Sequence, residues 1–251
     1  MDRDPSLIDD YGCDCGGSAA YGNREERVCG ASCPCGLDSA GRLHLDADGC
    51  FLGDTDELEQ LVLSECGPAC GCGPACPFRA TQRGLAISVL LVQHASKGWV
   101  ALAGAEVRRG AFVCLYAGEV ISTPEASKRL AEYDHAACEQ PSAPGHALLV
   151  VREVLPSGSA CLRTNIDATR RGNAARFFNH DCGGGTLALT LVRCAGCPLP
   201  RAALFARGDL PRGAELTFRY GPPSAGGGRA RQRRCACGAA ACLGYLPSES
   251  V

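Results

Sequence analysis

Apolar positions in this chain come in short runs. GLAISVLLVQH (residues 84–94), GWVALAG (98–104), GAFVCLYAGEVI (110–121), HALLVVREV (146–154), LALTLV (187–192), AALFAR (202–207) and AELTFRY (214–220) are rich in Val, Leu and Ala and are bounded by glycine or charged turns. Runs of that length and composition predict seven short strands. One segment breaks the pattern. Thr123, Pro124 and Glu125 supply an N-cap, a proline at the first helical position and an early acid, and ASKRLAEYD follows, so a helix is predicted there. Many short strands with few helices imply a compact, mostly β domain of several small sheets. DTDELEQLVLSE (54–65) fits either a helical turn or a strand leading into Cys66, and its patterning does not decide.

Up to about Arg79 the texture differs. Cysteine, glycine and proline dominate, with the near-repeat CGPAC then CGPACP, and apolar residues are too sparse for a core. Such a segment is expected to fold around metal. At the other end, GPPSAGGGRARQRR reads as a flexible, solvated linker. The organisation expected is therefore a metal-binding region at 1–81, a β domain at 82–222 and a linker with a second metal segment at 223–251. A chain of 251 residues is long enough for one good core and a small accessory domain.

The chain carries 19 cysteines. A secreted, disulfide-rich domain is the plainest reading of that load. The opening MDRDPSLIDDYG has no apolar stretch to serve as a signal peptide, which points instead to a reducing, intracellular setting. No run approaches the roughly 18 apolar residues of a membrane span, so a soluble protein without a membrane partner is expected. In a reducing setting, C-x-C and C-x3-C spacings favour metal ligands over disulfides.

Nine of these cysteines fall in two clusters: Cys13, Cys15, Cys29, Cys33 and Cys35, then Cys66, Cys70, Cys72 and Cys76. Zinc takes about four ligands, so three ions need roughly twelve sulfur bonds, which nine thiolates supply when three of them bridge. The expectation is three zinc ions in one nine-thiolate cluster. A later trio, Cys235, Cys237 and Cys242, is one ligand short of a zinc site, and Cys182 in RFFNHDC is the candidate fourth. Cys194 and Cys197 have C-x2-C spacing but no second pair nearby, and Cys50, Cys114, Cys138 and Cys161 read as free, buried thiols. The formal charge is −2. Three Zn²⁺ on nine thiolates carry −3 and one Zn²⁺ on four carries −2, which takes the molecule to about −7. That balance suits a basic peptide partner and disfavours direct, sequence-specific nucleic-acid binding.

With these motifs in order, the chain resembles the SET-domain protein lysine methyltransferases of the suppressor-of-variegation class. The pre-SET pattern corresponds to the nine cysteines ending in ECGPACGCGPACPFR. The SET pattern corresponds to KGWV (97–100), FVCLYAGEV (112–120), IDATRRGNAARFFNHDC (166–182) and AELTFRYG (214–221), and the post-SET pattern to CACGAAACLG. The likeness runs closest to the catalytic part of methyltransferase–transposase fusion proteins, through HALLVVREV and RAALFARGDL.

The resemblance implies the SET fold of small curved sheets, S-adenosylmethionine as methyl donor, and zinc. It also implies a nuclear, chromatin-associated protein acting on a histone H3 tail, by class at lysine nine. Carried over by position, Tyr220, Phe218 and Tyr116 would form the reacting end of the lysine channel. Lys97, Gly98, Trp99, Arg176, Asn179 and His180 would bind the cofactor. Phenylalanine rather than tyrosine at 218 implies di- or trimethylation. Several positions depart from the pattern: Phe78 for asparagine, Val100 for glycine, Asp181 for serine, Leu243 for arginine, and His146 or Ala147 where an aromatic residue lines the channel. The missing aromatic keeps open a catalytically silent, zinc-stabilised histone-binding module. A different histone or non-histone lysine would use the same chemistry.

Overall fold

The computed structural model of the chain describes residues 12–13, 26–37, 41–139, 145–154, 161–197, 199–221 and 233–247. Cys15 and most of the glycine- and arginine-rich stretch at 222–232 lie outside the described residues. The ordered elements are β1 (Val62–Glu65), β2 (Val89–His94), β3 (Gly98–Ala103), β4 (Phe112–Leu115), β5 (Gly118–Ile121), α1 (Thr123–Glu139), β6 (Leu148–Val154), β7 (Cys161–Gly172), β8 (Asn179–His180), β9 (Leu187–Cys194), β10 (Arg201–Ala206) and β11 (Thr217–Phe218). Short 3₁₀ turns punctuate them. No described helix is long and apolar enough to cross a membrane. Two compact units emerge, one of Met1–Ile87, Glu106–Leu115 and Ala188–Leu210, the other of Ser88–Ala105, Tyr116–Leu187 and Pro211–Val251.

The first unit is a four-stranded sheet in the order β1-β9-β10-β4. The segment DTDELEQLVLSE supplies both structures its pattern allowed, a 3₁₀ turn at Leu58–Gln60 and then β1, which runs parallel to β9. One core unites the sheet with the cysteines: Leu58, Phe78, Val192 and Phe205 are buried with Cys33, Cys66, Cys70 and Cys76. A carboxylate is buried there too. Glu65 accepts bonds from Thr81 N (2.8 Å), Thr81 Oγ1 (2.9 Å) and Gln82 Nε2 (3.0 Å), with Arg201 at 3.7 Å, so its desolvation is met by donors.

The second unit holds three small sheets: the β2-β3 hairpin, a sheet in the order β5-β7-β6, and the parallel pair β8-β11. The apolar run at 110–121, predicted as one strand, divides into β4 and β5 at Tyr116–Ala117. Helix α1 extends five residues past the predicted segment and buries Ala126 with Leu148 and Val150. Two cysteines expected to be buried are not: Cys138, in the last turn of α1, and Cys161, opening β7, are exposed, whereas Cys50 and Cys114 are buried as expected.

The 12-residue β7 was not predicted, and the reason is visible in its burial. Its centre buries Asn165 and Asp167 beside Ile166 and Ala168, so polar residues occupy inward positions. Partners far along the chain make this tolerable. The Asp167 carboxylate accepts bonds from Arg129 Nη1 and Tyr133 Oη of α1, both at 2.8 Å, and from Thr169 N at 2.9 Å. Arg129 also reaches Glu119 at 3.0 Å and Glu125 at 2.7 Å. Burial pushes the Asp167 carboxyl upward, but these bonds outweigh it and hold its pKa at about 2.

Because that value lies below the unfolded one of about 4, the stabilisation is present above pH 4 and is lost as pH falls toward 2. Replacing Asp167 with Asn is therefore expected to cost about 3 kcal/mol at pH 7 in urea unfolding. The gap from the parent should narrow as pH is lowered from 4 to 2; a gap independent of pH would count against the ion pair.

Candidate active site and metal centres

The second unit gathers the aromatic and amide residues that the sequence singled out. Strand β11 pairs with β8 so that Thr217 faces Asn179 and Phe218 faces His180. The close approach requires glycine at 185, where φ is +82° and a Cβ would stand 2.5 Å from the Thr217 carbonyl oxygen. Phe218 is buried between two tyrosines, its ring centroid 6.1 Å from Tyr116 and 5.0 Å from Tyr220. Both tyrosine hydroxyls donate to backbone carbonyls at 2.8 Å, Tyr116 to Ala147 and Tyr220 to Phe178. Their rings are thereby fixed while their outer edges remain apolar. Burial, then the charges of Cys235 and Glu215, raise the Tyr220 phenol well above its ordinary value, so it stays protonated.

Next to this aromatic group lies His180. Its Nδ1 accepts from Tyr220 N at 3.1 Å, its ring lies 5.3 Å from the Tyr220 ring, and its Nε2 is 3.3 Å from Cys182 Sγ. Burial lowers its pKa against the opposing charge of Asp181, which favours the neutral imidazole. Asn179 donates from Nδ2 to the Trp99 carbonyl at 3.1 Å. Gly98 has φ +76°, a value glycine adopts freely. Trp99 is 47% exposed and meets Phe177 edge-on at 6.4 Å, and the Arg176 guanidinium lies 5.1 Å over that same Phe177 ring. Lys97 forms a 2.7 Å ion pair with Glu215. Glu215 was not singled out in the sequence; only its place inside AELTFRY could have suggested it.

The departures from the family pattern find particular places. Val100 is buried and paired with Val92, so its side chain is taken up in packing. Asp181 accepts from Gly183 N at 2.7 Å and shapes the turn at Cys182. His146 stacks on Tyr133 at 5.7 Å, and Ala147 is bound through its backbone to Tyr116 and Thr169. Phe78 is buried in the cysteine-rich core and Leu243 is exposed.

Two sets of thiols meet the geometry of metal sites. Cys182, Cys235, Cys237 and Cys242 have sulfur atoms all within 4.8 Å of one another, with Cys182 at 3.8 Å from Cys235 and 4.0 Å from Cys242. The terminal trio is shaped by a tight turn in which Cys235 N donates to the Gly244 carbonyl and Cys242 N to Ala239. Against the upward push of burial, N–H groups of Cys182 and Ala239 bring the Cys237 thiol down to about 7. In the first unit, three overlapping groups satisfy the same distance: Cys13, Cys29, Cys33 and Cys66; Cys13, Cys35, Cys66 and Cys70; and Cys29, Cys66, Cys72 and Cys76. Cys13, Cys29 and Cys66 recur between groups, as sulfur atoms shared by neighbouring ions would. Arg79 donates from Nε to Cys72 Sγ at 3.3 Å and from Nη2 to the Gly67 carbonyl at 2.7 Å, a contact that holds that sulfur in place. So many sulfurs cannot ionise together without a cation: Cys33 and other thiols, aided by burial, push Cys66 up, while Cys76 falls to about 5. Cys194 and Cys197 join none of the four groups found among the described residues.

Comparison with known proteins agrees with this arrangement. Residues 98–221 match the SET domain family. The histone-lysine N-methyltransferase SUVR3 of Arabidopsis thaliana is 43% identical over 247 residues, which span 98% of this chain and 61% of that protein. The crystal structure of the methyltransferase domain of human histone-lysine N-methyltransferase SETMAR aligns with a TM-score of 0.72 at 26% identity, covering 100% of this chain and 86% of that one. KRYPTONITE, in a crystal structure with mCHH DNA, an H3(1-15) peptide and SAH, aligns with a TM-score of 0.67 at 27% identity, covering 97% of this chain and 45% of its own. That complex also holds DNA, so the expectation that nucleic acid is excluded gains no support from this neighbour. The chain spans less than two thirds of the length of the curated relatives SUVR3 and mouse SETMAR.

The thiol geometry leads to a direct test. Cys235→Ser is expected to remove a single zinc equivalent, measured by plasma mass spectrometry on the purified chain, with the far-ultraviolet circular dichroism unchanged. Zinc content equal to that of the parent would contradict the C-terminal site.

Proposed function

Because the chain belongs to the SET-domain family, we propose that it transfers methyl groups from S-adenosylmethionine to a lysine of a histone H3 tail, at lysine nine, and proceeds to the di- or trimethylated state. The observation that carries this reading is the convergence of Tyr116, Phe218 and Tyr220 beside the Asn179–His180 strand, whose His180 lies 3.3 Å from the sulfur of Cys182. The H3(1-15) peptide bound by KRYPTONITE includes lysine nine and supports the target. In this reading residues 1–81 are the pre-SET cluster with three zinc ions, 82–222 the SET domain, and 223–251 the post-SET segment with one zinc held by Cys182, Cys235, Cys237 and Cys242. The protein works in the nucleus, on chromatin.

S-adenosylmethionine, when bound, supplies a methyl group on a sulfonium that leaves as a neutral thioether. Lys97, Gly98, Trp99, Arg176, Asn179 and His180 are the residues assigned to hold it. The target lysine, at its ordinary pKa of about 10.4, is protonated and cannot attack. An aromatic, apolar channel disfavours the ammonium and so favours the free amine. Because the hydroxyls of Tyr116 and Tyr220 are engaged with carbonyls, the ring faces are fixed before the substrate arrives. Orientation of nitrogen, methyl carbon and sulfur in line can lower the barrier by about 7–11 kcal/mol. Phe218 presents no hydroxyl to hold a water or a partly methylated amine, which leaves room for repeated transfer.

Incubation of the zinc-loaded chain with labelled S-adenosylmethionine and core histones is expected to label histone H3, and mass spectrometry to find two or three methyl groups at lysine nine. Tyr220→Phe is expected to lower kcat by about a hundredfold. Cofactor binding without transfer by the parent would favour the silent histone-binding module, a reading consistent with alanine at 147. Label on another histone or another lysine would keep the enzyme and discard the target.

A further inference from the structure

Glu215 lies at the centre of the residues assigned to the methyl donor. Its Oε2 is 2.7 Å from Lys97 Nζ and its Oε1 is 3.4 Å from Asn179 Nδ2, so one carboxylate ties together two of the segments that the proposed reading gives to the cofactor. Its backbone is fixed as well, since its carbonyl accepts from Thr186 Oγ1 at 2.8 Å and residue 215 bridges to Leu102 of β3. The Lys97 and Glu215 side chains are only 16% and 26% exposed, so water screens the pair weakly. The carboxylate also contributes to raising the Tyr220 phenol, so its field extends to the aromatic group.

The two small molecules that such a site must tell apart differ chiefly in charge. S-adenosylmethionine carries a sulfonium. Once the methyl carbon forms its bond to the lysine nitrogen, the carbon–sulfur bond breaks, its electron pair returns to sulfur, and the product S-adenosylhomocysteine has a neutral thioether there. The lysine nitrogen, having given its proton to solvent before the attack, takes over the positive charge and ends as a methylammonium. A site with a net positive side-chain charge would repel the donor and retain the product. An unpaired Lys97 would add its charge to that of Arg176, and Glu215 offsets the lysine.

We infer that Glu215 is a positioning residue that also sets the preference of the site for the charged methyl donor over its neutral product, by neutralising Lys97. The inference rests on the reading of this site as one for S-adenosylmethionine. It makes the Lys97–Glu215 pair a determinant of product inhibition, separate from any part the two residues have in holding the fold.

The test is calorimetric titration of the zinc-loaded chain with S-adenosylmethionine and, separately, S-adenosylhomocysteine. Glu215→Gln is expected to lower the ratio of donor to product affinity by about fivefold, because Lys97 is left uncompensated. Lys97→Met is expected to raise the ratio by a similar factor. The double variant, neutral again, should return it to the parent value even if both ligands bind more weakly. A merely structural role would weaken both ligands together and leave the ratio fixed in all three variants, and that result would overturn the inference while leaving the methyltransferase reading intact. Failure of the parent to bind either molecule would overturn that reading and this one with it.

Discussion

Thiolate sulfurs repel one another, and the structure gathers them all the same. Cys182 meets Cys235 across 53 positions of sequence and Cys242 across 60. Little apolar surface accompanies that meeting: the four cysteines are half-buried, and the segment from 233 to 247 contributes no residue to the buried core. A shared cation is the force able to hold such a tail in place. In the proposed reading its location bears on the chemistry, because Cys182 touches His180 and His180 touches Tyr220.

Buried charge is met by partner groups in both units. Arg79 donates to the sulfur of Cys72 in the cysteine cluster, and Thr81 and Gln82 satisfy Glu65 in the adjoining sheet. In the second unit Arg129 and Tyr133 satisfy Asp167 beneath α1, and Lys97 meets Glu215. The partnerships differ in consequence. The first three fix local structure, whereas the fourth lies among the residues assigned to the methyl donor.

Much of this was legible in the amino-acid sequence. Among the described residues cysteine spacing picked out the thiols that converge, and the terminal trio's being one short called for a fourth, for which Cys182 was the candidate. Strand-like apolar runs correspond to β2, β3, β6, β9 and β10; all but β2, whose Leu90, Leu91 and Val92 are exposed, bury Val, Leu or Ala. What escaped detection depends on long-range compensation. β7 carries Asn165 and Asp167 inward, and no local pattern reveals that Arg129 will be there to meet the carboxylate. Glu215 has the appearance of an ordinary polar position in an alternating strand until Lys97 and Asn179 are seen beside it. β8, two residues long, is too short to leave any periodicity, and β11 fills only Thr217 and Phe218 of the predicted run 214–220.

The central claim is that one ion shared by Cys182 and the terminal cysteines completes the site for the methyl donor. It is tested most directly by titrating S-adenosylmethionine into Cys237→Ser and into the parent chain, with zinc content determined on the same samples. The account expects the variant to lose one zinc equivalent and at least a tenfold share of its affinity, about 1.4 kcal/mol, with its circular dichroism retained. Undiminished affinity in a variant that has lost that zinc would contradict it.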